Sequence, residues 1–593
     1  MIYTWRIEIS NFFNKLEIGI LQLTKRRWLN STVLIGLLIA FPYLVIGKYG
    51  IFLENKFPRL WVMIVFVTMC GILLWRLWEK RSWAESLGGA VLMLAVSYFI
   101  GSFIPLINNY PFSLWWSETS HFYNAYAFVA PLFGQARLPW VYNDPLRHML
   151  QAIPFLMGVL PIWVHRFWFQ FQIIIFTFAV PIALLRHLPI QRKIFKGLFI
   201  LWGVLYLAQG AIYPHLLLIT ALIIFGFNKD KPIRTTIFVI VLSIFGGLSR
   251  INWVPVPALI ATLFYVLEMP VDDFRAKSVF NYMRMPIQWA VLGGGLGLVA
   301  MRWYQNNAEI NLDIFRYPFT ANLLWDRLFP NPSYTLGVLP GILLAGGPLV
   351  LLVGLYIRKK NNGFKPIRLK VIIGTLSVLF VGGLVVSTKI GAGLNLHNMD
   401  AFMVCVLITA CYFYFDRVQY DLPQPAAQIG NRKLLFTIVF FPALFIFFRG
   451  GYAQSLDYNL AEESLQVLQT AVDEYGEEGE ILFISQRHLL PLEMIEGVSL
   501  VPYYEKIILT EAAIANTESY IVEFRKDLRR MPYSLIVNDP RVRRTKDADK
   551  SKNEENDAYL NNIQNVLLCY YKPHSILEVG GIQLLVRKNQ PCR

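Results

Sequence analysis

Residues 371–387 read VIIGTLSVLFVGGLVVS, an apolar run that contains no charged side chain. A helix that crosses the hydrocarbon core of a bilayer needs about 20 mostly apolar residues, so this run predicts a membrane-spanning helix. Similar runs recur along the chain and together predict about thirteen spans. The predicted spans lie near residues 31–47, 60–75, 87–107, 167–185, 197–213, 214–227, 235–249, 254–267, 287–304, 336–357, 371–387, 400–415 and 434–448.

The composition agrees with a lipid environment. Of the 593 residues, 55% are hydrophobic and 16% are charged, and the mean hydropathy is +0.45. Soluble domains carry about a quarter charged residues, so a soluble enzyme is excluded as the class of protein. The net charge of +16 does not indicate nucleic-acid binding, because the basic residues form short clusters between apolar runs.

The positions of these basic clusters predict the orientation of the chain. With the spans given above, seven clusters fall on one side, which the positive-inside rule assigns to the cytoplasm. They are Lys25–Arg27, Arg76–Arg81, Arg186–Lys196, Lys229–Arg234, Arg275–Arg284, Arg358–Lys370 and Arg432–Lys433. The N-terminus is then cytoplasmic, the C-terminal domain is extracytoplasmic, and a multi-pass protein of the cell (inner) membrane is expected. Lys48, Lys56 and Arg59 depart from the rule, since they fall on the outer side.

Three regions follow from these patterns. Residues 1–30 are predicted to be a cytoplasmic or interfacial segment, whose first 24 residues have the near-helical spacing of a helix lying on the membrane. Residues 31–449 form the transmembrane domain, with a first long outer loop at 108–150. Residues 450–593 have the composition of a soluble domain, and alternating strand and helix patterns predict an extracytoplasmic α/β domain.

Further detail is expected within these regions. Strands are predicted at 480–485, 533–537, 566–571 and 581–586, and helices at 456–475 and 518–530. The charged stretch 541–557 is expected to be a solvated loop. Residues 148–185 are predicted to hold one span at 167–185, preceded by a re-entrant or surface-lying helix, because two spans would place the next four positive charges outside.

Two carboxylates of the first outer loop are candidate catalytic residues. Glu118 lies in WWSETSHFYNAY, where neighbouring aromatic rings could raise its pKa towards that of a general base. His121 follows one helical turn later, on the same face. Ser117–Ser120 also fits a helix N-terminal cap, and both interpretations stay open. Asp144, in VYNDPLRH, is a second candidate base or an ordinary turn residue.

Two further segments carry candidate substrate-binding residues. Arg250 and Asn252 lie where a span emerges, and the guanidinium could bind a phosphate or simply reach the interface. The stretch 389–400, KIGAGLNLHNMD, combines two glycines with several polar side chains next to a span. This density of polar groups favours ligand contact over a plain turn. The residues singled out there are Lys389, Asn395, His397 and Asp400.

The cysteines and histidines do not form a recognisable framework. Cys569 and Cys592 lie in the C-terminal region, where a disulfide would be possible but is not supported by their spacing. The sequence contains no CxxC or HExxH pattern, so no metal ligands are predicted.

The overall plan resembles the GT-C superfamily of polytopic glycosyltransferases, which includes the dolichyl-phosphate-mannose–protein mannosyltransferases. The resemblance covers the many spans, the long first outer loop with an early acidic residue, and the outward C-terminal domain. Residues 389–395 look like the outer-loop Lys-Gly-Asn stretches of mannosyltransferase-like members. The segments ILFISQRHLL and YSLIVNDP look like those of uncharacterised bacterial relatives. The first outer loop lacks the Asp-x-Asp or Asp-Glu pair of other members, and the C-terminal region lacks the Trp-Trp-Asp motif of oligosaccharyltransferases.

The resemblance implies a function and a set of roles. A sugar would be transferred from a polyprenyl-phosphate donor in the lipid bilayer to an extracytoplasmic glycan, lipid or protein acceptor. Glu118 would match the catalytic acidic position, with Asp144 in reserve, while Lys389 and Arg250 would hold the phosphate. No cofactor is implied, although the resemblance leaves a divalent metal ion open.

Other functions remain open at this stage. A surface-polysaccharide ligase or polymerase would rely on outer-loop arginines such as Arg316 and Arg327 rather than on an acidic base. A transporter or flippase would be expected to carry ionisable groups in mid-span and an internal repeat, and neither is evident. A non-catalytic membrane protein, such as a receptor or scaffold, would share much of this pattern.

Overall fold

The protein is described here from a computed structural model. The described residues are 27–78, 82–134, 144–210, 212–271, 276–308, 321–331, 334–359, 363–389, 395–421, 432–449, 451, 453–500, 503–539, 550–590 and 592. The predicted interfacial helix at 1–24, the arginine at 316 and residues 390–394 of the KIGAGLNLHNMD stretch lie outside them.

Most of the described chain is helical. From the N-terminus to the start of the C-terminal domain the helices are α1 (Arg27–Pro42), α2 (Lys56–Leu77), α3 (Trp83–Gly101), α4 (Glu118–Ala127), α5 (Pro145–Gln151), α6 (Ile162–Leu184), α7 (Lys193–Ala208), α8 (Pro214–Gly226), α9 (Pro232–Gly247), α10 (Val256–Glu268), α11 (Ala276–Asn307), α12 (Val338–Lys359), α13 (Pro366–Thr388), α14 (Asp400–Tyr414) and α15 (Arg432–Arg449). The C-terminal elements are α16 (Tyr458–Gly476), β1 (Glu480–Phe483), α17 (Lys506–Ala515), α18 (Glu518–Arg530), β2 (Tyr533–Asn538), α19 (Lys550–Tyr559), α20 (Asn565–Tyr570), β3 (Tyr571–Ile576) and β4 (Gln583–Arg587).

Eight helical segments of the described chain are long and apolar enough to cross a membrane. They are Arg27–Lys48, Lys56–Leu77, Trp83–Leu106, Ile162–His187, Ile251–Glu268, Val338–Lys359, Pro366–Thr388 and Leu396–Tyr414. Two shorter apolar helices are Pro214–Gly226 and Pro232–Gly247. The prediction of a mostly helical chain with several apolar helices long enough to span a membrane is therefore confirmed, with eight such helices in the described part of the chain against about thirteen predicted.

The boundaries of these helices follow local chemistry. Helix α3 begins with a reciprocal capping box, in which the Ser82 hydroxyl accepts from the Glu85 amide and the Glu85 carboxylate accepts from the Ser82 amide. Between Asp144 and Ile162 the chain forms only α5 and a short turn of helix at Ile153–Met157, each far too short to span a bilayer. The candidate span that follows starts at Ile162, in agreement with the prediction of a single span in this region.

The chain forms two compact units. The first comprises residues 1–106, 191–209 and 432–455, and the second comprises residues 107–190, 210–431 and 456–593. Within the first unit, Arg59 is almost fully buried and donates to the carbonyl groups of Phe447 and Gly451. Arg59 therefore links α2 to the end of α15, which gives this outlier of the positive-inside pattern a packing role.

The C-terminal part of the second unit contains one four-stranded sheet. The strand order is β1-β2-β4-β3, with β1 and β2 parallel and the other two pairs antiparallel. Successive side chains of β2 point to opposite faces of the sheet, as expected for a strand. Leu535 and Val537 join the core that contains Leu468 of α16, and Ile536 joins the core that contains Phe524 of α18. Helices thus cover both faces of the sheet.

Two expectations for this region are wrong. Residues 566–571 were predicted to be a strand, but they mostly belong to helix α20, and β3 begins at Tyr571. An apolar run of six residues fits either a buried strand or a buried helical turn, and only its neighbours decide. The charged stretch 541–557 was expected to be a loop, but its described C-terminal part lies in α19.

The C-terminal region is stabilised by packing against an earlier segment of the chain and by a disulfide bond. Tyr110 and Phe112, which precede α4, are buried in the same core as Leu468 and Leu535, so this segment contributes to the packing of the C-terminal region. Cys569 and Cys592 form a disulfide, with their Cα atoms 5.2 Å apart. The remaining cysteines, Cys70, Cys405 and Cys411, are buried and free.

Candidate functional site

Glu118, the first residue of α4, lies in a buried ion pair with Arg166 of α6. The Arg166 Nε donates to Glu118 Oε1 at 2.7 Å, and the amide of Leu114 donates to Oε2 at 2.5 Å. Both side chains are fully buried. Burial raises the pKa of Glu118, while the positive charge of Arg166 opposes this shift. Both carboxylate oxygens are therefore engaged by the protein itself.

Arg166 extends this arrangement into the loop that precedes α4. Its two terminal nitrogens donate to the backbone carbonyls of Asn108, Tyr110 and Phe112 at 2.7–3.0 Å. The arginine thus holds five consecutive residues of the loop against the start of α6. Ser117, which the sequence suggested as a cap, forms no side-chain capping hydrogen bond. We call Glu118 and Arg166 the loop clamp.

A second set of polar and ionisable side chains is centred on the ring of Tyr213 and on the groups that contact it. The guanidinium of Arg147, from α5, lies 4.8 Å from the centroid of this ring, and that of Arg250 lies 5.4 Å from it. Such distances are typical of cation–π contacts. We call the whole set the arginine–histidine cluster; its members are His121, Asp144, Arg147, His148, Tyr213, His215, Arg250, His397, Asn398 and Asp400.

The start of α5 is fixed by a strained turn. Asp144 precedes the helix with φ of 52°, in the left-handed region that few residues other than glycine, asparagine and aspartate adopt. Pro145 follows at the first helical position, where its missing amide costs nothing. The next amide, of Leu146, donates to the carbonyl of Leu248 at 3.1 Å. This bond joins α5 to the C-terminal end of α9, two residues before Arg250.

Arg250 is oriented by the beginning of α14. Its Nη2 donates to Asn398 Oδ1 at 2.9 Å, and its Nη1 lies 3.8 Å from Asp400 Oδ2. Asp400 is fully buried and accepts hydrogen bonds from the Trp253 indole at 2.9 Å and from the Ala401 amide at 2.7 Å. Asp400 is thus a fixed counter-ion that positions Arg250.

The histidines of the cluster are buried, and within the described residues the ring nitrogens of His148 and His215 are not all hydrogen-bonded. His121 Nδ1 lies 3.4 Å from Arg147 Nη2, and its ring centroid is 5.7 Å from that of His148. Burial lowers the pKa of His121 well below its ordinary value and that of His148 to about 3. The positive charge of Arg147 contributes a smaller part of both shifts. Among the described residues, neither ring nitrogen of His215 has a hydrogen-bond partner, although this side chain is only 1% exposed.

Asp144 provides a carboxylate that interacts electrostatically with both arginines. Burial raises the pKa of Asp144, and the charges of Arg250 and Arg147 pull it down in part. Unlike Asp400, the Asp144 side chain is not fully buried. A carboxylate with a raised pKa, next to two cations and several neutral imidazoles, is suited to accept a proton beside an anionic group.

The other predicted substrate-binding residues divide between two places. His397 lies 5.8 Å from the Tyr213 ring, and Asn395 accepts from the His397 amide at 2.8 Å. Asn252 is half-buried in the turn that carries Arg250. The carbonyl of Lys389, in contrast, accepts from Arg327 at 2.7 Å, and Arg327 also pairs with Glu555 of α19.

Six of the nine predicted residues belong to or adjoin the cluster, namely His121, Asp144, Arg250, Asn395, His397 and Asp400. Asn252 lies in the turn that carries Arg250, Glu118 belongs to the loop clamp, and the Lys389 carbonyl belongs to the Arg327 pair. Sequence reasoning missed Arg147, His148, Tyr213 and His215. The available signal was a short polar break between two apolar runs, at Tyr213-Pro214-His215.

The cluster has the chemistry of an anion site with a built-in base. Two guanidinium groups converge, one from α5 and one from the turn that follows α9, and planar guanidinium groups match the oxygens of a phosphate. Within the described ranges, no group of three or more His, Cys, Asp and Glu side chains is arranged to hold a metal ion.

Comparison with known proteins does not add a family. No protein-family model matches the chain, and no curated protein sequence is significantly similar to it.

Proposed function

We propose that this protein is a membrane glycosyltransferase that transfers a sugar from a polyprenyl-phosphate donor to an extracytoplasmic acceptor. The observation that carries the proposal is the convergence of Arg147 and Arg250 on the Tyr213 ring, with Asp144 in electrostatic contact with both. Glycosyl transfer from a lipid phosphate produces an anionic leaving group, which cations stabilise. It also needs a general base to take the proton of the acceptor hydroxyl. The likeness of the chain to GT-C glycosyltransferases in overall plan is a second, weaker support.

Each group then has a defined part in the reaction. The two guanidinium groups bind the donor phosphate and stabilise the charge that develops on it. The acceptor hydroxyl oxygen attacks the anomeric carbon, and the bond between that carbon and the phosphate oxygen breaks with its electron pair on the phosphate. Asp144 takes the hydroxyl proton. The configuration at the anomeric carbon is inverted.

This assignment changes the roles that the sequence suggested. Glu118, the first candidate for the base, is proposed to hold the loop because Arg166 and Leu114 occupy its oxygens. Arg147 takes the phosphate-binding role first given to Lys389, because its guanidinium contacts the same Tyr213 ring as that of Arg250. Arg250 keeps its proposed role.

The cellular setting is part of the same proposal. About thirteen helices would cross the cell membrane, the eight candidate spans and further apolar helices of the described chain among them. The basic clusters put the N-terminus in the cytoplasm. The Cys569–Cys592 disulfide supports an extracytoplasmic C-terminal region, because disulfides persist mainly in oxidising compartments.

The direct test is to incubate the purified protein in detergent with radiolabelled polyprenyl-phosphate sugars and follow release of the free lipid phosphate. A panel carrying mannose, glucose, galactose and aminoarabinose covers different ring substituents. We expect release from at least one donor, and its loss in an Arg147→Gln/Arg250→Gln double variant. Absence of release from every donor by folded protein, with a membrane extract supplied as the source of acceptor, would contradict the proposal.

A surface-polysaccharide ligase or polymerase is the second candidate, favoured by the paired arginines themselves. Such a reaction uses cations and needs no carboxylate base. Arg327, a candidate for that role from the sequence, is bound to Glu555 and the Lys389 carbonyl, so Arg147 and Arg250 would have to serve instead. Full activity of an Asp144→Asn variant, with loss of activity in the arginine variants, would favour the ligase.

A further inference from the structure

The carboxyl ends of the two parallel strands form a polar edge of the C-terminal sheet. Phe483 of β1 is paired with Val537 of β2, so Ser485 and Asp539 follow the two strands at the same edge. In α/β sheets, ligands bind outside the carboxyl ends of parallel strands, because side chains from several loops converge there. This edge therefore has the position of a ligand-binding site.

Helix α17 starts at this edge and connects it to the first outer loop. The Lys506 amide donates to the carbonyl of Ile484 at 3.0 Å, and its ammonium group donates to Asp539 Oδ2 at 2.6 Å. The preceding residue, Glu505, caps the helix by accepting from the Ile507 amide at 3.0 Å and also accepts from the hydroxyl of Ser120 in α4. The edge thus packs against the helix that carries His121.

Two adjacent tryptophans join the edge to the arginine–histidine cluster. The ring of Trp116 is 49% exposed, and the Lys506 ammonium lies 5.3 Å from its centroid. The ring of Trp115 stacks on Phe169 at 5.5 Å, and Phe169 lies 6.1 Å from the ring of His121. Trp116 therefore lies at the edge of the sheet, and Trp115 is connected to His121 of the cluster through the ring of Phe169.

Several polar atoms at the edge are buried without a partner. Among the described residues, Ser485 Oγ, Asn538 Nδ2 and Asp539 Oδ1 have no hydrogen-bond partner. Buried polar groups are nearly always satisfied, so three such atoms at one edge indicate a polar ligand or ordered water. Together they offer a donor, an acceptor and a hydroxyl that can serve as either.

We propose that Trp116, Lys506 and Asp539, supported by Ser485 and Asn538, form a saccharide-binding subsite for the acceptor. The half-exposed indole can stack against the C–H face of a sugar ring. The ammonium and carboxylate groups bind hydroxyls as donor and acceptor, and a saccharide is the ligand class with enough of both. The description of this saccharide as an acceptor rests on the proposed function, whereas its binding does not.

The alternative role for Trp116 is that of an anchor at the membrane surface, where exposed tryptophans are common. An anchor has no preference for sugars. A peptide acceptor would instead make main-chain hydrogen bonds and would not need a hydroxyl-matched set of donors and acceptors. Binding experiments with sugars alone therefore separate the three roles.

The test measures binding of fluorescently tagged mannotriose, galactotriose, glucotriose and chitotriose to the full-length protein in nanodiscs, without any lipid donor. Trp116→Ala, Trp116→Phe and the control Trp325→Ala are compared with the unmodified protein; Trp325 is similarly exposed, at 58%. We expect at least one trisaccharide to bind, with an affinity that falls about tenfold or more in Trp116→Ala as one stacking contact is lost. Trp116→Phe should retain most of the binding, and Trp325→Ala all of it.

Failure of this proposal is distinct from failure of the transferase assignment. Absence of binding by every trisaccharide, or equal binding by Trp116→Ala and the unmodified protein, would overturn the saccharide subsite even if the protein cleaves a lipid-linked donor. Sugar binding that depends on Trp116 would uphold the subsite even if no donor is cleaved. Asp539→Asn, which keeps the size of the side chain, provides a second variant and should also weaken binding.

Discussion

The loop clamp and the arginine–histidine cluster are both buried assemblies of carboxylate and guanidinium groups in the same unit. They differ in how fully their polar atoms are hydrogen-bonded. In the clamp, both oxygens of Glu118 accept hydrogen bonds, and Arg166 serves three backbone carbonyls besides. In the cluster, within the described part of the chain, both nitrogens of His215 are without hydrogen-bond partners. The clamp has no capacity left for a ligand, and the cluster does.

The two assemblies therefore use buried charged groups for different purposes, one for stability and the other for function. Burying charged groups costs several kcal/mol per ion, and the loss is recovered only when geometry and hydrogen bonding are good. The clamp meets that condition by itself and can serve stability. The cluster leaves polar groups unsatisfied, which proteins retain chiefly where function requires it.

The largest effect is expected when the clamp loses one partner. Arg166→Met leaves the Glu118 carboxylate buried without its cation, and we expect the free energy of unfolding to fall by about 3–5 kcal/mol. Denaturation of the purified protein in detergent measures the change. The double variant Glu118→Leu/Arg166→Met should recover much of the loss, because it buries no charge. A single Arg166→Met variant as stable as the unmodified protein would contradict the structural role.

The next largest effect concerns the two arginines of the cluster. Arg250→Gln and Arg147→Gln each remove a cation from the proposed phosphate site, and we expect the rate of donor cleavage to fall by about 10²–10³-fold. Stability should change little by comparison with Arg166→Met. Arg302→Gln is the matched control, because Arg302 is exposed and lies near Gln305 in α11. Equal activities in the control and the two variants would remove the arginines from the site.

The pH dependence of the rate sharpens the same comparison. Asp144 acts as a base only when it is deprotonated, so the rate should fall as the pH drops through its pKa. Because burial raises this pKa, the fall should occur at a higher pH than about 3.9, the value of a free aspartate. A rate profile between pH 4 and 8 measures it. The residual activity of Asp144→Asn should lack this acidic limb, and a profile with the same limb would assign it to another group.

The smallest effect concerns another carboxyl group, that of Glu511, outside both assemblies. Burial and the neighbouring Glu555 raise the pKa of Glu511 to about 8. A raised pKa of an acid means that folding favours its protonated form, so stability is lost as the pH rises from about 4.5 towards 8. Glu511→Gln should therefore raise the melting temperature by about 2–4 °C at pH 8 and leave it unchanged near pH 4.5. An equal shift at both pH values would contradict this account.

Much of the fold could be predicted because a membrane-spanning helix leaves a long and simple signal. Each predicted span near the N-terminus coincides with an observed helix within a few residues, as at Lys56–Leu77. Short elements of the C-terminal region were less predictable. Residues 565–570 became helix rather than strand because tertiary neighbours, and not a six-residue apolar pattern, decided between them.

The candidate site was only partly visible in the sequence for a related reason. Asp144, Arg250 and Asp400 could be singled out, since each interrupts an apolar context. Their meeting depends on how the helices pack, which no local pattern encodes. Glu118 attracted attention for the same reason as Asp144, but its partner Arg166 lies 48 residues away, inside a candidate span. Without that partner, a structural carboxylate and a reactive one look alike.

The most direct test of this account compares Asp144→Asn with Glu118→Gln in single-turnover release of polyprenyl phosphate from the active donor. We predict that Asp144→Asn lowers the rate by about 10²–10⁴-fold with unchanged stability. Glu118→Gln, or the Glu118→Leu/Arg166→Met protein if the single variant does not fold, should keep its rate within about tenfold of the unmodified protein. The reverse pattern, an active Asp144→Asn and an inactive but folded Glu118→Gln, would return the catalytic role to Glu118 and contradict the account.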